Sequence, residues 1–244
     1  AEPELAGVTV QFGAPYQIIT SLGRTAGAGL IVVGATGSGP LAAEILGSTA
    51  DRVVRKATCP VLLVRGELRM PLQRVLAPVD LSSLSGDAFR CGLHLLAQLS
   101  RCGEIEVRVV YALSFLDAVA LRHRKPGSSL EQVERCGAEE LRRFVLENRP
   151  AAPCRVETAV LPGEARFEIL RELAEHPVDL VVLGTHGRGG LDRLLVGSVA
   201  SAIARKAPCS VLLISPEATL EERIADAVTA QTMPAWHREP AVAE

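Results

Sequence analysis

Residues 30–64 and 180–214 are two copies of one segment. Aligned at a constant offset of 150 with no gaps, LIVVGATGSGPLAAEILGSTADRVVRKATCPVLLV and LVVLGTHGRGGLDRLLVGSVASAIARKAPCSVLLI agree at 16 of 35 positions. Each copy reads as an apolar strand, a glycine loop, a helix and a second apolar strand. Such a unit, kept in register twice, commits the chain to an α/β fold built from repeats. Gly184 ends the first strand of the later copy, Gly187 follows after two intervening residues, and Gly197-Ser198 opens the helix. Loop glycines expose backbone N–H groups, and a helix N-terminus carries partial positive charge, so the loop suits an anion. Gly34, Gly37, Gly47 and Ser48 repeat the spacing in the earlier copy.

The residues around the later copy complete a domain. Arg74–Val79 is an apolar strand ending near Asp80. Ser85–Ser100 places Phe89, Leu93, Leu96 and Leu99 at helical spacing. Ile105–Leu113 reads as a second strand, and Leu113–Gly127, with Pro126-Gly127, as a loop with room for a helical turn. Ser128–Asn148 is an amphipathic helix, with Ser129 and Gln132 spaced for a capping box. Cys154–Leu161 is a third strand, Glu164–Glu175 a helix, and Asp179–Leu183 a fourth strand. Ser198–Lys206 and Cys209–Ile214 supply the last helix and strand. Alternating strands and helices imply right-handed crossovers and a parallel sheet covered on both faces.

The pattern Gly-x2-Gly-x9-Gly-Ser/Thr between two strands resembles the nucleotide-binding signature of the universal stress protein family. The likeness covers roughly residues 8–64 and 70–216. It implies a Rossmann-like (adenine nucleotide alpha hydrolase-like) fold, with a five-stranded parallel sheet in the order 3-2-1-4-5, present here as two tandem repeats. The expected domains are residues 1–66, 70–216 and a tail, 217–244. In such a sheet ligands sit beyond the carboxyl ends of the strands, where the strand order reverses. Pro78, Asp80 and Ser82 match the family's adenine-side motif Pro-x-Asp-x-Ser, and Ala112 falls where the family places a backbone contact to adenine. Gly184, Gly187, Gly197, Ser198 and Val199 match its ribose and phosphate positions. Thr185 and Arg188 complete the candidate set, Arg188 as a full positive charge. His186 fits either an exposed loop residue or a ligand contact.

The resemblance implies an adenine-nucleotide-binding stress regulator, taking ATP with or without Mg²⁺. Two alternatives stay open: an interaction module of the same fold that binds no nucleotide, and a slow ATP hydrolase. The sequence lacks the GxxxxGK(S/T) loop of P-loop ATPases and the G-x-S-x-G nucleophile elbow, and it has no GxGxxG after Arg74–Val79. Carboxylates such as Glu164 and Asp192 read as solvated loop or helix-start residues. A net charge of −2 and 3% aromatic residues argue against a nucleic-acid partner. No apolar run reaches the roughly 18–20 residues a membrane helix needs. Six cysteines without CxxC or metal spacing read as buried small apolar residues in a reducing cytoplasm.

The earlier copy lacks half of its domain. Val8–Val10 and Gly13 align with the third-strand region, Ile19 with Ile169, and nothing precedes them to match Arg74–Asn148. The chain also begins at Ala1 rather than Met, as a fragment or a processed product would. No counterpart of Asp80 or Ala112 exists there, so Gly34, Gly37, Gly47 and Ser48 form a weaker second site. Two expectations follow for the sheet. The exposed edge at Leu30–Val33 should be covered by the other domain or a second chain. The last strands, Val61–Val64 and Val211–Ile214, should pair, either within the chain or in a homo-oligomer. The tail begins with a helical pattern at Leu220, Ile224, Ala227 and Val228.

Overall fold

Seven strands lie side by side in one sheet. In chain order they are β1 (Ile31–Gly34), β2 (Val61–Val64), β3 (Arg74–Val79), β4 (Ile105–Leu113), β5 (Cys154–Pro162), β6 (Leu180–Gly184) and β7 (Ser210–Ile214). The helices are α1 (Pro15–Thr25), α2 (Ser48–Lys56), α3 (Ser83–Leu99), α4 (Phe115–Arg124), α5 (Leu130–Asn148), α6 (Ala165–Glu175) and α7 (Ser198–Lys206). The structure, a computed structural model, describes residues 8–36, 46–68, 70–99, 105–124, 129–148, 154–187 and 196–219. The helical pattern from Leu220 onward lies outside these residues.

The sheet order is β1-β2-β7-β6-β3-β4-β5. Within it, β5-β4-β3-β6-β7 is the expected 3-2-1-4-5 arrangement, parallel throughout. Strand pairing runs longest between β4 and β5, from Ile105↔Cys154 to Leu113↔Pro162. Two apolar layers flank the sheet. On one face α3 and α5 pack Phe89, Leu93, Leu96, Leu141 and Phe144 against Val75, Val107, Val109 and Val182. On the other, α2, α6 and α7 pack Val53, Ile169, Leu173 and Ile203 against Val61, Leu63, Val181, Val211 and Leu213. Alternation of side chains along each strand assigns them to the two layers.

The two repeats meet through β2 and β7. These strands pair antiparallel, with Val61↔Leu213, Leu62↔Leu212 and Leu63↔Val211. The offset of 150 makes Leu212 the repeat counterpart of Leu62, so each of these two residues faces its own equivalent. That register is self-complementary, the geometry of a two-fold interface realised inside one chain. Its side chains are buried. The Arg65 guanidinium donates to the carbonyls of Ala204 (3.1 Å) and Arg205 (3.2 Å), capping α7 from the other repeat. The expected pairing of the last strands is therefore intramolecular.

Three expectations need correction. First, β1 is the outermost strand, and among the described residues nothing pairs with its outer side. The other repeat does not cover the Leu30–Val33 edge, because the antiparallel pairing recruits β2 instead. Val32 is 56% exposed, whereas its counterpart Val182 is 3% exposed beneath α3. Second, Val8–Val10 forms no strand, and both valines are exposed. In the later repeat β5 is held by β4; among the described residues nothing stands as a counterpart of β4 in the earlier repeat, so this segment has no ladder to join there. Third, residues after Leu113 form the ten-residue helix α4 rather than a loop. Ser114 N–H donates to Asp117 Oδ2 and Asp117 N–H to Ser114 Oγ, both at 3.2 Å. This reciprocal cap starts the helix. The same device appears at α5, where Ser129 N–H donates to Gln132 Oε1 (2.8 Å) and Gln132 N–H to Ser129 Oγ (3.3 Å).

Candidate functional site

Strand β3 leaves the sheet toward α3 and β4, while β6 arrives on its other side from α6. The strand order reverses between them, which opens a crevice at their carboxyl ends. A cavity of about 670 Å³ lies there. Pro78, Asp80, Ala112, Gly184, Thr185, Gly187, Gly197, Ser198 and Val199 all line it. Arg188, Asp192 and Gly37 lie outside the described residues.

Asp80 is fixed by its own turn. Ser82 donates to Asp80 Oδ1 through both its N–H (3.0 Å) and its hydroxyl (2.6 Å). Ser85 Oγ accepts from the Asp80 N–H at 3.2 Å. Between them Leu81 has φ of 65°, the left-handed region that an L residue enters at a cost of about 1–2 kcal/mol. The Asx turn thus holds the carboxylate at the strand end, against the glycine loop. A Cβ added at Gly187 would overlap Asp80 Oδ2, so a larger residue there must displace the carboxylate from its place against the loop.

The loop after β6 is tied to the start of α7. Thr185 N–H donates to the Ile214 carbonyl (2.9 Å), and Gly197 N–H donates to the Thr185 carbonyl (2.7 Å). Gly197 is the N-cap and has no side chain to offer the helix. The first N–H groups of α7, on Ser198, Val199 and Ala200, therefore lack a partner within the helix. All three residues line the cavity. The helix end adds roughly half a positive charge.

The opposite wall was not foreseen. Leu116 and Asp117 of α4, Tyr111 of β4, Glu164 before α6 and Ile169 on it line the same cavity. Leu116 is 76% exposed there. Reading residues 113–127 as a loop hid this wall; the Ser-x-x-Asp spacing at Ser114 and Asp117 was the signal available. Glu164 is the N-cap of α6, as its helix-start reading implied, but it also borders the cavity.

The earlier repeat rebuilds the same turn. Ala35 N–H donates to the Val64 carbonyl and Gly47 N–H to the Ala35 carbonyl, both at 2.8 Å, with Gly47 as N-cap of α2 and Ser48 as its first residue. Gly34 ends β1. Among the described residues no strand stands beside β1 as β3 stands beside β6. The wall carrying Asp80 has no equivalent there.

A doubly wound α/β sheet with its cavity at the reversal point defines a Rossmann-like protein. The match to known sequences narrows the class. The sequence model of the Universal stress protein family matches residues 3–65 and 71–215, and the chain belongs to that family. A universal stress protein of Mycobacterium tuberculosis is 31% identical over 188 residues, which are 75% of this chain and 61% of that protein. One of Mycolicibacterium smegmatis is 29% identical over 222 residues, covering 87% of this chain and 71% of that protein. The chain thus spans 61% of the length of the first of these relatives. Among solved structures, a Pseudomonas aeruginosa protein described as functionally unknown superposes with a TM-score of 0.62 at 22% identity, over 88% of this chain and 74% of that one. This last likeness concerns the fold alone.

Proposed function

We propose that the later repeat binds ATP or a related adenine nucleotide, and that the protein acts as a stress-response regulator through binding rather than turnover. The observation that carries this reading is the convergence of three elements on one cavity. These are the Asp80 turn at the end of β3, the glycine loop after β6, and the N-terminus of α7, whose N-cap Gly197 has no side chain to offer it. Their chemistry is complementary to a nucleotide. A carboxylate accepts from hydroxyl or amino groups, and N–H groups at a helix end donate to phosphate. The volume lies in the range of small-molecule sites. The lining is largely apolar between these ends, with Leu183, Ile169 and Leu116 available to a base.

Thermal unfolding with Mg²⁺ and increasing ATP tests the proposal. A ligand at about 100 times its dissociation constant stabilises the folded state by about 2.7 kcal/mol. The wild type should show a rising midpoint, while Asp80→Ala and Gly187→Val should show none at the same concentrations. An unchanged wild-type midpoint at millimolar ATP contradicts the reading and favours an interaction module without nucleotide. Steady phosphate release lost in Asp80→Ala would make the protein a slow hydrolase instead.

A further inference from the structure

His186 carries a polar atom that the cavity residues leave unsatisfied. Its Nε2 is shielded from solvent and has no hydrogen-bond partner among the described residues. The other ring nitrogen, Nδ1, lies 2.9 Å from Thr185 Oγ1. Thr185 is 2% exposed, and this nitrogen is the partner of its hydroxyl among the described residues. The pair has one arrangement that satisfies both groups: the hydroxyl donates to Nδ1. Were Nδ1 protonated, the buried hydroxyl proton would have no acceptor. Nδ1 then accepts and Nε2 carries the ring's N–H, a donor in need of an acceptor.

The position of the ring says which acceptor. His186 lines the cavity between Thr185 and Gly187, which line it too. The Thr185 carbonyl receives the Gly197 N–H at 2.7 Å, so the histidine is tied to the helix end that offers its own N–H groups to an anion. In the earlier repeat, where among the described residues no strand corresponds to β3, Ala35 and Thr36 stand at these two positions. The hydroxyl–imidazole pair occurs in the copy whose cavity is walled.

We infer that His186 is a ligand-contacting residue whose Nε2–H donates to a phosphate oxygen of the bound nucleotide, with Thr185 fixing the tautomer. This rests on the nucleotide reading of the cavity and adds to it a residue that selects phosphorylated ligands over nucleosides. The test uses the full chain. Long-range ¹H–¹⁵N spectra of the histidine rings should show His186 protonated at Nε2 before ligand, and a slowly exchanging Nε2 proton once ATP is added. By calorimetry His186→Leu should weaken ATP about tenfold or more, as loss of a hydrogen bond to a charged group implies. Adenosine affinity should stay unchanged, and His186→Gln should recover much of the ATP affinity. A ring protonated at Nδ1, or a folded His186→Leu variant that binds ATP as the wild type does, overturns the inference and leaves the nucleotide site standing. Equal loss of ATP and adenosine overturns the phosphate assignment. A wild type that binds neither ATP nor adenosine ends the nucleotide reading, and this inference with it.

Discussion

A glycine at 187 and a carboxylate at 80 are one feature seen from two strands. Either residue alone is an ordinary turn element; together they bring the ends of β3 and β6 into contact. The spacing of the glycines was readable from the sequence, because a loop that needs backbone approach must write it in glycine. The partner of the loop was readable only through the reversal of strand order. His186 was not decidable at that level, since its role depends on whether its ring nitrogens find partners. Cys209 shows the simpler case: burial pushes its thiol up to about 11, which suits a packing residue rather than a nucleophile. Asp51 provides a residue-scale prediction. It is bridged by Arg55 (2.9 Å) and by Arg205 (3.4 Å) of the other repeat. The hydrogen bond from Arg55, more than the charge of Arg205, holds its carboxyl below the usual carboxylate range. A carboxyl depressed in the folded state stabilises the fold above its unfolded value, near 3.9, and that contribution is lost as pH falls through the folded value. Asp51→Asn should cost about 0.5–1 kcal/mol at pH 7 in urea unfolding, a partly exposed pair being worth no more. The difference from wild type should shrink toward zero at pH 3; a difference independent of pH contradicts the ion-pair account.

Elements were legible where both of their faces are filled within the chain. Strand β4 and helix α7 were bounded in the sequence to the residue, because apolar runs and capping signals coincide there. Strand-like residues at Val8–Val10 failed for a physical reason: a strand is defined by its neighbour, and β-propensity without a ladder has nothing to act on. Helix α4 failed for the opposite reason. Its exposed Phe115 and Leu116 blur the helical period, and only the Ser114–Asp117 cap marks its start. Helix α3 carries the sharpest element-scale prediction. A Cβ at Gly92 would overlap Val182 Cγ1 on the sheet. Gly92→Val should therefore push α3 off β6 and destabilise the protein by about 1–3 kcal/mol, the usual cost of overpacking, despite the better helix propensity of valine. Stability equal to wild type in denaturant unfolding would show that the α3–sheet contact yields.

For the whole molecule, the duplicated segment determined more than its own structure. It supplied two edge strands with compatible apolar faces, and their pairing fuses both repeats into one sheet with Leu62 opposite Leu212. The five-stranded order could be anticipated; the position of β1 at the rim was not, because the pairing of β2 with β7 joins the repeats through the other edge of the earlier half. The same duplication sets up a structural asymmetry. Both copies keep the glycine turn and the helix start, and one of them stands beside β3 and Asp80. Calorimetric titration of the full chain with ATP in Mg²⁺ tests this account most directly. One nucleotide bound per chain, with binding abolished by Gly187→Val and retained when Gly47 is replaced by Val, is the predicted result. Two nucleotides per chain, or none, would contradict it.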